Sequence, residues 1–145
     1  MSRPDLPWLR DAAGLGAVLD ATVARVDPAS SLAELETGGA TLVASRRNLE
    51  PGDRVRVRIP ARDVILATSA PEGLSVHNRL QGTVTGLAVD DGSASAVVQL
   101  AVGDMIVLAE VTRDAVARLG IAEGLRLHAL IKSMSLDVVA LDARP

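Results

Sequence analysis

The chain has 145 residues, a formal charge of −3, 48% apolar residues and no cysteine. That length admits one ordinary domain or two very small ones, and the missing cysteines exclude a disulfide framework, thiolate metal sites and cysteine nucleophiles together. The acidic balance offers no general attraction to nucleic acid or anionic lipid. Trp8 is the single aromatic residue, so Val, Leu, Ala and Ile must fill the core, and the valines favour strands. No apolar run approaches the roughly 18 residues that span a bilayer. The start, MSRPDLPWLRD, has no apolar stretch of signal-peptide type, and a cytoplasmic location follows by default.

In chain order, residues 1–14 hold Pro4, Pro7 and mixed charges without periodicity and read as a linker or lead-in. From Gly16 the pattern turns β-like. Val18 to Val26 suits a strand that Asp27-Pro28 ends, and Leu32 to Glu36 and Ala40 to Ala44 form a hairpin through Gly38-Gly39. After a turn at Asn48 to Asp53, Arg54 to Ile59 alternates charged and apolar residues as a half-buried strand does. Pro60 interrupts the ladder and Asp63 to Thr68 resumes it. Residues 69–77 are a polar, small-residue connection.

The same grammar then returns. Gly82 to Leu87, Ala96 to Val102 and Met105 to Val111 read as strands, with turns at Asp90-Asp91-Gly92 and Gly103-Asp104. Thr112 caps a predicted helix from Arg113 to Leu119 that Gly120 closes in the left-handed conformation. Leu125 to Ile131 and Leu136 to Leu141 complete the unit. An offset of 72 residues sets Gly52 on Gly124 and Val55–Ile59 on Leu127–Ile131; an offset of 61 sets Leu19–Val23 on Leu80–Val84. The difference is an insertion in the second copy, in the region of the helix. The expectation is a duplicated all-β chain, two small barrels at 15–70 and 71–145, against the alternative of one continuous β-sandwich.

Catalytic chemistry is hard to place. There is no GxxxxGK[ST] run, so the chain holds no phosphate-binding loop for ATP hydrolysis. His77 and His128 are neither four residues apart nor set among carboxylates, which argues against zinc. Single-strand nucleic-acid binding by a small barrel needs stacking aromatics and a basic groove, and the chain has neither. What stands out is two donor-rich segments at strand ends, Ser75-Val76-His77-Asn78-Arg79-Leu80-Gln81-Gly82-Thr83-Val84 and Ile131-Lys132-Ser133-Met134-Ser135-Leu136-Asp137. Free backbone N–H groups, hydroxyls, an amide and an ammonium are what a tetrahedral dianion needs. The same segments also suit turn capping and solvent exposure.

The first of these segments resembles the S-A-R-N-x-L-x-G-x-V opening of Mop (molybdate-binding) domains. Ile131-Lys132-Ser133-Met134-Ser135 is similar to their closing I-K-A-x-S, and Thr112 to Gly120 to the T-x-x-S-x-x-x-L-G helix between them. The first unit and the Ser2-Arg3-Pro4-Asp5-Leu6-Pro7 lead-in resemble the start of the C-terminal TOBE region in ATPase subunits of molybdate importers. The resemblance implies two tandem five-stranded OB-type barrels (TOBE/Mop), with a short helix in the second, that associate with a further copy and form oxyanion sites at subunit interfaces. It assigns the ligand, molybdate or tungstate without an organic cofactor, to Ser75, Val76, His77, Asn78, Thr112, Lys132, Ser133, Met134 and Ser135. It implies no enzymatic activity in this chain and no resident metal cation. Its partners would be itself, as a homodimer or higher oligomer, and the importer's ATPase and membrane subunits at the cytoplasmic face. No nucleic acid and no membrane insertion are expected.

The departures from the family pattern fall mostly in the first unit. Leu15-Gly16-Ala17-Val18 stands where the second has Val76-His77-Asn78-Arg79, and Pro60 stands at the place of Lys132. Pro lacks a backbone donor, and Asp63 would repel an anion, so the first copy is expected to be structural or to supply only edges. In the second unit, His77 replaces the family's Arg, a weaker cationic donor that would make binding depend on pH; it reads as a weak ligand or bystander ahead of a switch. Three functions follow: a regulatory oxyanion-sensing domain of an importer ATPase, a free-standing molybdate store, or a ligand-free dimerisation scaffold. The linker-like start at Ser2, behind Met1, favours the first.

Overall fold

The computed structural model describes residues 8–11, 14–89 and 92–141, the first four by backbone alone. In order these are β1 (Trp8–Asp11), β2 (Gly14–Asp27), β3 (Leu32–Glu36), β4 (Thr41–Ser45), β5 (Arg54–Pro60), a 3-10 turn at Ala61–Asp63, β6 (Ile65–Ala67), β7 (Asn78–Val89), β8 (Ser95–Val102), β9 (Met105–Thr112), the helix α1 (Arg113–Leu119), β10 (Arg126–Ile131), a second 3-10 turn at Ser133–Ser135, and β11 (Asp137–Ala140). The described residues are all-β with one α-helix, in two OB-type units, as expected. Part of the anticipated lead-in is a strand, because β1 pairs antiparallel with β2 from Trp8↔Ala17 to Asp11↔Gly14. The Ser2–Pro7 segment and Asp90-Asp91 lie outside the described residues. No described helix is long and apolar enough to cross a membrane.

Each unit is organised by one long strand that serves two neighbours. The N-terminal part of β2 pairs with β5 and its C-terminal part with β3, with a register shift between Val23 and Arg25. β7 repeats this with β10 and β8, with its shift between Val84 and Gly86. A bulge bends the strand and strengthens its twist, which lets it turn from one partner to the next. The bend is held the same way in both copies. Gly52 donates its N–H to Val23 O at 2.8 Å and Gly124 to Val84 O at 2.8 Å. Both glycines have φ of +94°, a conformation other residues rarely adopt. The offsets of 61 and 72 read from the sequence are therefore real structural equivalences.

Sequence order does not reveal how the sheets are completed. One sheet runs β11-β5-β2-β3-β4, with β1 on β2, and the other runs β6-β10-β7-β8-β9. β6, in the first half of the chain, pairs with β10, and β11, at the chain's end, pairs with β5. Each unit thus gives its last strand to the other. The hairpin turns also meet: a Cβ on Gly39 would stand 2.4 Å from Val102 O, and one on Gly103 2.8 Å from Gly39 O.

The core is aliphatic and continuous across both units. Val55, Val57 and Ile59 of β5, Leu35, Leu42, Val98, Leu100, Val107 and Leu127 are fully buried. Strict alternation in β8 buries Ala96, Val98, Leu100 and Val102, the period expected of a strand with one covered face. β9 departs from it, with Val107, Leu108 and Ala109 buried in succession. Its second face is covered because β9 packs on β2 and on the Ala61–Asp63 turn of the other unit.

Candidate functional site

The two donor segments meet at the start of β7. Asn78 is its first residue and pairs with Ile131, the last residue of β10, so His77 and Lys132 are the residues next to the last pair of this ladder. Beyond Lys132 (φ −66°, ψ 141°) the chain enters the Ser133–Ser135 turn, closed by Ser135 N–H to Lys132 O at 3.0 Å. Lys132, Ser75 and His77 are exposed, Val76 and Ser135 half-buried, Ser133 buried and Met134 80% exposed. Sequence-predicted ligands 75–78 and 132–135 are thus gathered at one end of one strand pair.

Asn78 is 2% exposed, and its carboxamide is committed. Oδ1 accepts from Val43 N–H at 2.8 Å, and Nδ2 donates to Val43 O at 2.9 Å and to Ile131 O at 3.2 Å. Both amide hydrogens are used, so the donor that the sequence assigns to a ligand is here given to backbone. Thr112 is elsewhere as well. It pairs with Ser95, at the far end of β8, on the side where β7 ends. Its Oγ1 accepts from Ala115 N–H at 3.0 Å, capping α1 as predicted. Within one chain it does not join the other candidates.

Three of the candidates, His77, Met134 and Ser135, line clefts, and they fall in two different ones. His77 faces a cleft of about 270 Å³ with Arg25, Val26, Asp27, Ser30, Leu32, Glu34 and Val43 of the first unit. Arg25 pairs with Glu34 at 3.2 Å, and Ser30 Oγ donates to Asp27 at 2.9 Å. Met134 and Ser135 face a larger cleft of about 510 Å³ with Leu15, Pro60 and the charged Arg58, Arg62, Asp63 and Asp137. Arg58 donates to Gly14 O at 2.7 Å and stands 3.7 Å from Asp137. Both clefts mix cations with carboxylates. Among the described residues, no three of His, Asp or Glu converge as a metal site would require. The first-unit residues beside the candidates, Arg25, Ser30, Val43 and Arg58, had no signal in the linear sequence, since strand pairing between units brings them there.

The equivalent position in the first unit is built differently. Ala17 pairs with Ile59 as Asn78 does with Ile131, and Pro60 begins its 3-10 turn with φ −62° where Lys132 begins the other. A third cleft of about 310 Å³ lies at the place corresponding to that of His77, lined by Leu15, Gly86, Leu87, Ala88, Val97, Gln99 and Leu108. Gly86, Ala88, Gln99 and Leu108 occupy the positions of Arg25, Asp27, Glu34 and Val43. The two clefts are similar in size, but the charged Arg25, Asp27 and Glu34 of the one are replaced by uncharged residues in the other.

Residues 74–138 match the TOBE domain model. The chain is 42% identical over 130 residues to the molybdenum import ATP-binding protein ModC of Granulibacter bethesdensis, covering 86% of this chain and 35% of that protein. It is also 42% identical over 137 residues to ModC of Thiobacillus denitrificans, covering 94% and 37%. The chain therefore spans about a third of the length of these relatives. Among solved structures, the cytoplasmic molybdate-binding protein ModG, determined with molybdate bound, superposes with a TM-score of 0.73 at 28% identity, over 83% of this chain and 93% of that one. Residues 74–138, which carry the paired segments at the start of β7, are therefore a TOBE domain within the duplicated OB-type architecture.

Proposed function

We propose that this chain binds molybdate or tungstate, without an organic cofactor, as the regulatory domain of a molybdate importer ATPase. The observation that carries the reading is that segments 75–77 and 132–135 lie directly beyond the paired Asn78 and Ile131, on a fold whose molybdate-bound likeness covers most of both chains. The backbone and hydroxyl of Ser75, the backbone of Val76 and Met134, His77, Lys132, Ser133 and Ser135 are the donors. Thr112 lies at the opposite end of the sheet, so it reaches a site only from another copy. A site completed between chains, in a homodimer or larger assembly, is the arrangement these positions favour. Attachment to an ATPase and its membrane subunits, and with it a place at the cytoplasmic face, is favoured by the ModC relatives.

Isothermal titration with molybdate, tungstate and sulfate tests the reading. Saturable heat with the first two is expected; no heat with any, at concentrations well above the protein's, overturns it in favour of a ligand-free scaffold. Sedimentation with and without molybdate tests the interface: a monomer under both conditions removes it.

A further inference from the structure

We infer that Asn78 is a positioning residue that locks the two donor segments onto the edge of the other unit's sheet. The inference rests on the molybdate-binding reading above and changes what one of its residues does. β4 is the edge strand of its sheet, and such an edge presents N–H and C=O groups with no ladder partner. At Val43 the Asn78 carboxamide supplies both, accepting at 2.8 Å and donating at 2.9 Å. A side chain thereby takes the part of a neighbouring strand's peptide group. Its second amide hydrogen goes to Ile131 O at 3.2 Å, one residue before Lys132. One buried amide therefore ties three pieces of backbone: β4, the start of β7 beside His77, and the end of β10 beside Lys132.

The surroundings agree. β4 packs against the Ser133–Ser135 turn, and Arg46, just after β4, donates to Val138 O just beyond that turn. At the equivalent position Ala17 has no polar side chain to offer, and the matching edge residue Leu108 is buried against the other unit instead. The lock is present on the side that keeps the donors and missing on the side that lost them. A ligand holds its site best when the donors are fixed before it arrives, since ordering them on binding lowers affinity.

The test separates a lock from a ligand by changing the far end. Val43→Pro removes the N–H that Asn78 accepts from. Proline is tolerated on an edge strand, where that N–H is outside the ladder. Molybdate affinity is measured by titration for the wild-type chain, Asn78→Ala, Val43→Pro and the double variant, and exchange of the Val43 amide is followed in the ligand-free wild type and Asn78→Ala. A lock predicts that each single change weakens binding by about tenfold or more, that the two effects do not add, and that the Val43 amide, protected in the wild type, exchanges freely in Asn78→Ala. Wild-type affinity in a folded Val43→Pro overturns the inference. So does an equally protected Val43 amide in Asn78→Ala, which decides the matter alone where Val43→Pro fails to fold. A wild-type chain that takes up no molybdate overturns the binding reading, and the positioning role with it, which sets that failure apart from the others.

Discussion

The two units are copies in backbone and differ in the polar side chains at their strand ends. Both bend their long strand at a bulge, both anchor the bend with a glycine at φ +94°, and both continue from the fourth strand of the unit through a 3-10 turn into a strand given to the other half. The first nevertheless presents Ala17 and Pro60 where the second presents Asn78 and Lys132, while of the clefts near them one has charged residues in its lining and the other has none. A duplicated fold keeps its backbone under joint constraint, because each sheet contains a strand of the other. Side chains at the strand ends are free of that constraint, and there the copies have diverged.

The comparison can be broken most forcefully in the core. Leu35 and Leu100 occupy matching places, and both are fully buried. Leu35→Ala and Leu100→Ala are each expected to cost about 2–5 kcal/mol and to lower a single shared unfolding transition, followed by circular dichroism in urea. Two separate transitions, each shifted by only one variant, would show that exchanged strands do not couple the units. A related consequence is that a chain cut in the 69–73 connection yields two fragments that co-purify, since β6 and β11 remain paired across the cut.

At the strand ends the expected effects are smaller and unequal. Lys132→Ala should weaken molybdate binding by about tenfold through loss of a charge-assisted donor, whereas Pro60→Ala, at the matching place, should leave the titration unchanged. Equal losses would return the first unit to the site. Thr112→Ala should cost about 1 kcal/mol of stability through the lost cap of α1, an effect without a counterpart in the helix-free first unit. Smallest of all is Arg118→Ala: its pair with Asp114 at 2.9 Å is exposed on both sides, and less than about 0.5 kcal/mol is expected in thermal unfolding.

Much of this was legible in the linear chain because it rests on local physics. Alternation in Arg54–Ile59, the glycines at 52 and 124, and the Thr112 cap with Gly120 at φ +65° are each decided within a few residues, and their spacing disclosed the duplication. The donor segments were legible too, as residue types at strand ends. Asn78 was found but its partner was not. Nothing near it in sequence announces that its amide belongs to Val43, 35 residues away.

The sequence by itself therefore determined most of the strands, though not β1, together with the repeat, the helix and the asymmetry between Ala17–Pro60 and Asn78–Lys132. Only the tertiary structure decided which sheet β6 and β11 complete, that Thr112 lies apart from the other candidates, and that His77 shares a cleft with Arg25 and Ser30 of the other unit. Strand propensity and turn geometry are properties of neighbouring residues. The choice among possible strand partners is settled by burial shared between distant segments, and no window of the chain contains both sides of that choice.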